Sequence, residues 1–252
     1  MLNGRAYRVA MPRADGSLHP MVLLFHGFAS SKEAIDADTG MERAGTARGF
    51  VVVTPDGTGS PRTWHFLGAG SDDDFAFVDA LARDVTAHAC VDAHQVFAAG
   101  HSAGSAFTGF LVCRPPYRFA GAAMVEATIP STCPATVTYS VVSVHGTADR
   151  TVLYDGGLGE GQTVPIPPVR QTVTALARRN GCAAGPTTDT PAPGVERLRY
   201  SSCAHGHEVE LLSIVGGGHP WAGGLQATAS EPAVPGARVS ATDAILDFFA
   251  GR

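Results

Sequence analysis

Lysine is nearly missing from this chain: Lys32 stands alone among 252 residues, and charged residues of all kinds make up only 16% of it. Water-soluble domains usually carry about a quarter. With a formal net charge of −5, the chain lacks the basic surface that gathers nucleic-acid phosphates. No apolar run approaches the roughly 18 residues that a transmembrane helix needs. No cysteine pair has C-x-x-C spacing, so a zinc ribbon or thioredoxin-type site finds no support. The 30 glycines and 17 prolines follow no period, which excludes collagen-like and low-complexity chains. Met1 to Pro12 has neither a long apolar h-region nor a small-residue cleavage site. It has the pattern of an opening strand.

What is present points to a packed α/β chain. Hydrophobic residues make up 44%, enough for a sizeable core and against disorder. Short apolar runs flanked by glycine or proline predict buried strands at Met21 to Phe25, Phe50 to Thr54, Val96 to Ala99, Phe119 to Val125 and Tyr139 to His145. Further strands are expected at Arg5 to Val9, Glu196 to Tyr200 and Glu208 to Val215. Helices are expected from Ser30 or Ser31 to Arg48, from Asp72 past Val85, over Ala103 to Val112, Pro168 to Arg179 and Ala241 to Phe249. This alternation predicts a mostly parallel central sheet with helices on both faces. No linker divides the chain, so residues 1–252 are read as one domain. The Pro/Gly/Thr stretch from Ala183 to Gly194 reads as a surface loop.

The clearest chemical signal is Gly100-His101-Ser102-Ala103-Gly104. It fits G-x-S-x-G between a predicted strand and a predicted helix, the context of a nucleophile elbow. Such a turn exposes Ser102 Oγ above the sheet, and the following helix N-terminus offers positive potential to developing negative charge. A serine hydroxyl needs a base, and in folds built on this elbow the order is serine, acid, histidine. His219, on the glycine loop Gly216 to Trp221, is the expected base. Asp149, just past the strand ending at His145, is the expected acid, with Asp155 its nearest rival and Asp189 a weaker one. His145 and His26 are expected to be structural, and His205 and His207 to lie on the surface. The oxyanion donors should be the amides of Ala103 and Phe28. Phe28, Trp64, His65 and Trp221 are candidate substrate contacts, the three large aromatics forming a clamp. The five cysteines, Cys90, Cys113, Cys133, Cys182 and Cys203, leave disulfides and buried thiols equally open.

Three blocks occur in order: Gly100 to Gly104, His145-Gly146-Thr147-Ala148-Asp149 with Tyr154 to Gly157, and Gly216-Gly217-Gly218-His219-Pro220-Trp221. Together with Arg5 to Val9, Leu24 to Gly27, Asp73 to Phe77, Asn180 to Cys182 and Tyr200 to Cys203, they resemble the polyhydroxybutyrate depolymerase and feruloyl/acetylxylan esterase family of α/β-hydrolases. The resemblance covers nearly the whole chain. It departs at Pro220 and Ala222, where His-Thr-Trp-Pro-Gly is more usual, at Ser105, where a second glycine is common, and at His65, where relatives often carry Asn.

The resemblance implies an α/β-hydrolase fold without a large lid domain and a serine carboxylic ester hydrolase with no metal and no organic cofactor. It implies a Cys182–Cys203 disulfide and leaves any bridge among Cys90, Cys113 and Cys133 open. The substrate would be a feruloyl, acetyl or other short-chain ester, with polyester depolymerisation the alternative; acyl transfer and non-catalytic binding are further ones. The chain is expected to be secreted, without its leader in this sequence, and to act as a monomer on a small or polymeric ester.

Overall fold

A computed structural model of the protein describes residues 1–114, 119–129, 133–134, 136–225 and 240–252. The strands in chain order are β1 (Tyr7–Ala10), β2 (His19–Phe25), β3 (Val51–Pro55), β4 (Val91–His101), β5 (Gly121–Val125), β6 (Ser140–Gly146), β7 (Thr187–Ala192), β8 (Val195–Tyr200) and β9 (Val209–Ile214). The helices are α1 (Lys32–Thr39), α2 (Met41–Ala47), α3 (Ser71–His88), α4 (Ala103–Leu111), α5 (Val169–Arg179) and α6 (Ala241–Ala250). All nine strands form one sheet in the order β1-β3-β2-β4-β5-β6-β9-β8-β7. The pairs from β3 through β2, β4, β5 and β6 to β9 are parallel. β1 at one edge and the β7–β8 hairpin at the other are antiparallel.

The apolar runs are continuous because both faces of the sheet are covered. In β2, Met21, Leu23 and Phe25 face one core with Val78 and Leu81 of α3, Phe107 of α4 and Val173 of α5. Val22 and Leu24 face the other core with Ile35 of α1, Met41 of α2, and Ile245 and Leu246 of α6. Among the described residues the connections over the carboxyl edge of the sheet are loops, with no inserted helical domain. No described helix is long and apolar enough to cross a membrane.

Three expectations need correction. The single helix expected over about 31–48 is two helices. Gly40 adopts φ 62° and closes α1 while opening α2, a conformation that glycine takes without steric cost. The segment read as a loop before Gly194 contains β7, whose residues are nearly all exposed. An edge strand open to water on both faces has no apolar period to detect. β4 also begins at Val91, five residues ahead of the apolar run at Val96.

Candidate active site

The carboxyl ends of β4, β5, β6 and β9 lie side by side, and the loops leaving them build the site. Ser102 joins β4 to α4 at φ 53°, ψ −117°. That is a rare conformation for a residue with a Cβ. It is held by the Ser102 N–H donating to Val125 O at 2.9 Å, at the end of β5. The flanking glycines permit the turn. A Cβ on Gly100 would stand 2.1 Å from Gly104 O, and one on Gly104 would stand 2.3 Å from Phe25 O. Strand, helix and β2 could not approach so closely with any larger residue.

His219 lies on the loop after β9. Its Nε2 is 2.9 Å from Ser102 Oγ and its Nδ1 is 2.8 Å from Asp149 Oδ2. An ionised carboxylate only accepts, so Nδ1 carries the proton and Nε2 is free to accept the Ser102 hydroxyl. Asp149 is buried. Its other oxygen accepts from the Thr151 and Val152 amides at 2.8 and 2.9 Å. Burial pushes this carboxyl up, but hydrogen bonds from His145 and His219 outweigh it and hold the group below the usual carboxylate range. The Asp149 turn and the His219 loop are laced together. Thr147 N donates to Ile214 O, Ala148 N to Gly217 O, and Gly216 N to Thr147 Oγ1.

The turn after β2 faces the elbow: a Cβ on Gly27 would lie 3.5 Å from Ser102 Cβ. His26 fastens this turn. Its buried ring accepts from Gly57 N at Nε2 (2.9 Å) and donates from Nδ1 to Gly27 O (2.7 Å). Burial lowers its pKa, consistent with a neutral ring bonded through both nitrogens. The Ala103 amide opens α4, where the helix dipole is positive.

A cavity of about 550 Å³ opens at Ser102 and Ala103. Phe66, Phe110, Ile129, Val152, Val164 and Ile166 line it, and the Phe66 and Phe110 rings stack with centroids 5.3 Å apart. The expected aromatic clamp is not formed. Trp64 is 2% exposed and packs on Phe25 and Phe107 in the core, its Nε1 donating to His26 O. Trp221 is likewise 2% exposed, its Nε1 donating to Thr242 Oγ1. Both indoles turn inward because each N–H finds a buried acceptor there. Phe28 is 62% exposed on the turn beside the elbow and outside the cavity wall. His65 is half-buried, its Nδ1 3.0 Å from Asp74 Oδ2, next to the cavity residue Phe66.

Two site residues escaped sequence reasoning. His101 Nε2 donates to His219 O at 2.9 Å. Removal from water, reinforced by the His219 ring, pushes the His101 imidazole down to about 4. Glu126 follows β5 and is buried beside Asp149; its only signal is a charged residue straight after the apolar run Gly121 to Val125. Among the described residues, Glu126, Asp149 and His219 are the one grouping with metal-ligand proximity, and His219 there is already bonded to Ser102 and Asp149. Cys182 is disulfide-bonded to Cys203 and Cys113 to Cys133, while Cys90 is a free, exposed thiol.

The "Prolyl oligopeptidase family" description matches residues 41–132. "Putative esterase NocK" of Nocardia uniformis subsp. tsuyamanensis is 30% identical over 98% of this chain and 79% of its own length. "Feruloyl esterase B" of Piromyces equi is 27% identical over 79% of this chain, which spans 39% of that protein's length. Among solved structures, the acetyl xylan esterase from Aspergillus awamori superposes with a TM-score of 0.72 at 14% identity, covering 99% of this chain and 95% of its own.

Proposed function

The chain belongs to an esterase family of α/β-hydrolases, a family of carboxylic ester hydrolases, and from that premise we propose that it cleaves esters through an acyl-enzyme on Ser102. The observation that carries this reading is the continuous contact Ser102 Oγ–His219 Nε2–His219 Nδ1–Asp149 Oδ2, at 2.9 and 2.8 Å. His219 takes the Ser102 proton as Oγ attacks the ester carbonyl. Asp149 keeps the ring in the tautomer that can accept this proton and stabilises the imidazolium that forms. The amides of Ala103 and Phe28 hold the oxyanion, and the α4 N-terminus adds positive potential. The tetrahedral intermediate collapses as His219 protonates the leaving alcohol. Water, deprotonated by the same ring, then releases the acid.

The apolar cavity beside Ser102 receives the acyl group. Its stacked Phe66–Phe110 wall suits an aromatic or short aliphatic acid, so feruloyl, acetyl and other short-chain esters are the favoured substrates. Phe28, exposed on the turn beside the elbow, and His65, next to the cavity residue Phe66, are our candidates for contacting the rest of the ester. Two disulfides fit an oxidising compartment and support secretion. The chain acts as one catalytic domain.

Replacing Ser102 with Ala tests the reading: turnover of p-nitrophenyl acetate falls by several orders of magnitude, and covalent labelling by a fluorophosphonate is lost. Undiminished turnover in Ser102→Ala would overturn it. Parallel assays on methyl ferulate, acetylated xylan and polyhydroxybutyrate rank the substrates, and adding an alcohol acceptor reveals any acyl transfer.

A further inference from the structure

The inference rests on the proposed roles of Ser102, His219 and Asp149 and concerns a neighbour those roles leave unused. Glu126 is 1% exposed and occupies φ 57°, a conformation that strains a side-chain-bearing residue. It sits at the end of β5, between the nucleophile strand β4 and the acid strand β6. Its amide donates to Val144 O at 3.0 Å. Its carboxylate accepts the Gly146 N–H at 2.9 and 3.2 Å. Gly146 is the residue on which the base loop rests, since a Cβ there would stand 2.3 Å from Gly217 O. A carboxylate oxygen of Glu126, one of Asp149 and a ring nitrogen of His219 all lie within 4.8 Å of one another.

The groups around His219 are Asp149 and His145 from β6 and its turn, His101 from β4, and Glu126 from β5. His145 Nε2 donates to Val152 O at 2.8 Å and lies 3.3 Å from Asp149 Oδ2 and 3.6 Å from Glu126 Oε2. Two buried carboxylates therefore face one base. If Glu126 served only to accept the Gly146 amide, the isosteric amide of glutamine would do so equally well, without the cost of burying a charge. We propose that Glu126 is a second carboxylate of the relay: a positioning residue that steadies Gly146 under both loops, and the acid that sustains His219 when Asp149 is removed.

The test is a kinetic cycle with p-nitrophenyl acetate on the full chain, with urea midpoints reporting folding. Glu126→Gln alone lowers kcat about three- to tenfold with KM unchanged. Asp149→Ala lowers kcat about 100-fold, short of the roughly 10⁴-fold loss seen when a triad has no acid. Adding Glu126→Gln to Asp149→Ala costs a further ~100-fold and reaches the roughly 10⁴-fold loss of a triad with no acid. Adding Glu126→Asp instead keeps kcat within about tenfold of Asp149→Ala, although glutamine is the closer shape, because charge is what counts. An equal factor for Glu126→Gln in both backgrounds overturns the proposal. So does an Asp149→Ala protein that already shows the full, roughly 10⁴-fold loss by itself, which decides the matter if the double variant does not fold. Activity in Ser102→Ala strikes down the serine reading itself, and this inference with it; a dead Ser102→Ala with no Glu126 effect strikes down this inference alone.

Discussion

The ring of His101, the residue before the elbow serine, donates from Nε2 to the backbone carbonyl of His219 at 2.9 Å. One side chain thus ties the strand that leads to Ser102 to the loop that carries His219. The same ring lies against the turn after β2, 3.4 Å from where a Cβ on Gly27 would be. Its donor role requires a proton on Nε2, but a second proton on Nδ1 would put a cation beside His219.

A pH dependence of stability follows. The folded His101 titrates at about 4 against an ordinary 6.5, so between these values the unfolded chain binds a proton that the folded chain refuses. Stability is complete above pH 6.5 and falls as the pH drops towards 4, by at most roughly 3 kcal/mol from this group. Urea unfolding of the wild type and His101→Gln from pH 7.5 to 4.5 checks this: the glutamine variant has the shallower slope. Parallel slopes would refute it. The Asp149 contribution has its window lower, because that carboxyl is held below the usual range.

His26→Ala removes both the Gly27 carbonyl's donor and the Gly57 amide's acceptor. Leaving those buried groups unpaired costs about 1–3 kcal/mol each. Because the freed turn carries the Phe28 amide, kcat falls about tenfold or more while KM changes little. Steady-state kinetics beside an unfolding curve separate the two effects, and a KM increase with unchanged kcat would contradict the assignment of this turn to the oxyanion.

Phe66→Ala opens the cavity beside Ser102, proposed to take the acyl group, and removes one ring of the Phe66–Phe110 stack. An aromatic pair contributes about 0.5–1.5 kcal/mol beyond its buried area. The variant therefore loses roughly three- to tenfold in kcat/KM for methyl ferulate, and much less for p-nitrophenyl acetate, whose acyl group is too small to reach that wall. Equal losses on both esters would show that Phe66 does not contact the acyl group.

How far the sequence speaks depends on whether a residue's role is set locally. The elbow was legible because its two glycines, its serine and the strand–helix change are contiguous. The sheet was legible because β2, β3 and β5 are buried on both faces and so read as nearly unbroken apolar runs. His219 stood out from the other histidines through its glycine loop. Trp64 and Trp221 misled, since the acceptors that draw them inward, His26 O and the Thr242 hydroxyl, lie far away along the chain. Glu126 stayed hidden because its neighbours Gly146 and His145 belong to the next strand. The edge strand β7, polar and proline-bearing, offered no period at all.

The sheet order also dictates when the contact between Ser102 and His219 can first form during synthesis. Among the described residues β9, which leads into His219, is the last strand, yet it slots between β6 and β8 rather than adding at an edge. A nascent polypeptide therefore presents its serine more than a hundred residues of synthesis before the imidazole arrives. Until that strand is threaded between its two partners, the growing chain holds Ser102 without its contact to His219.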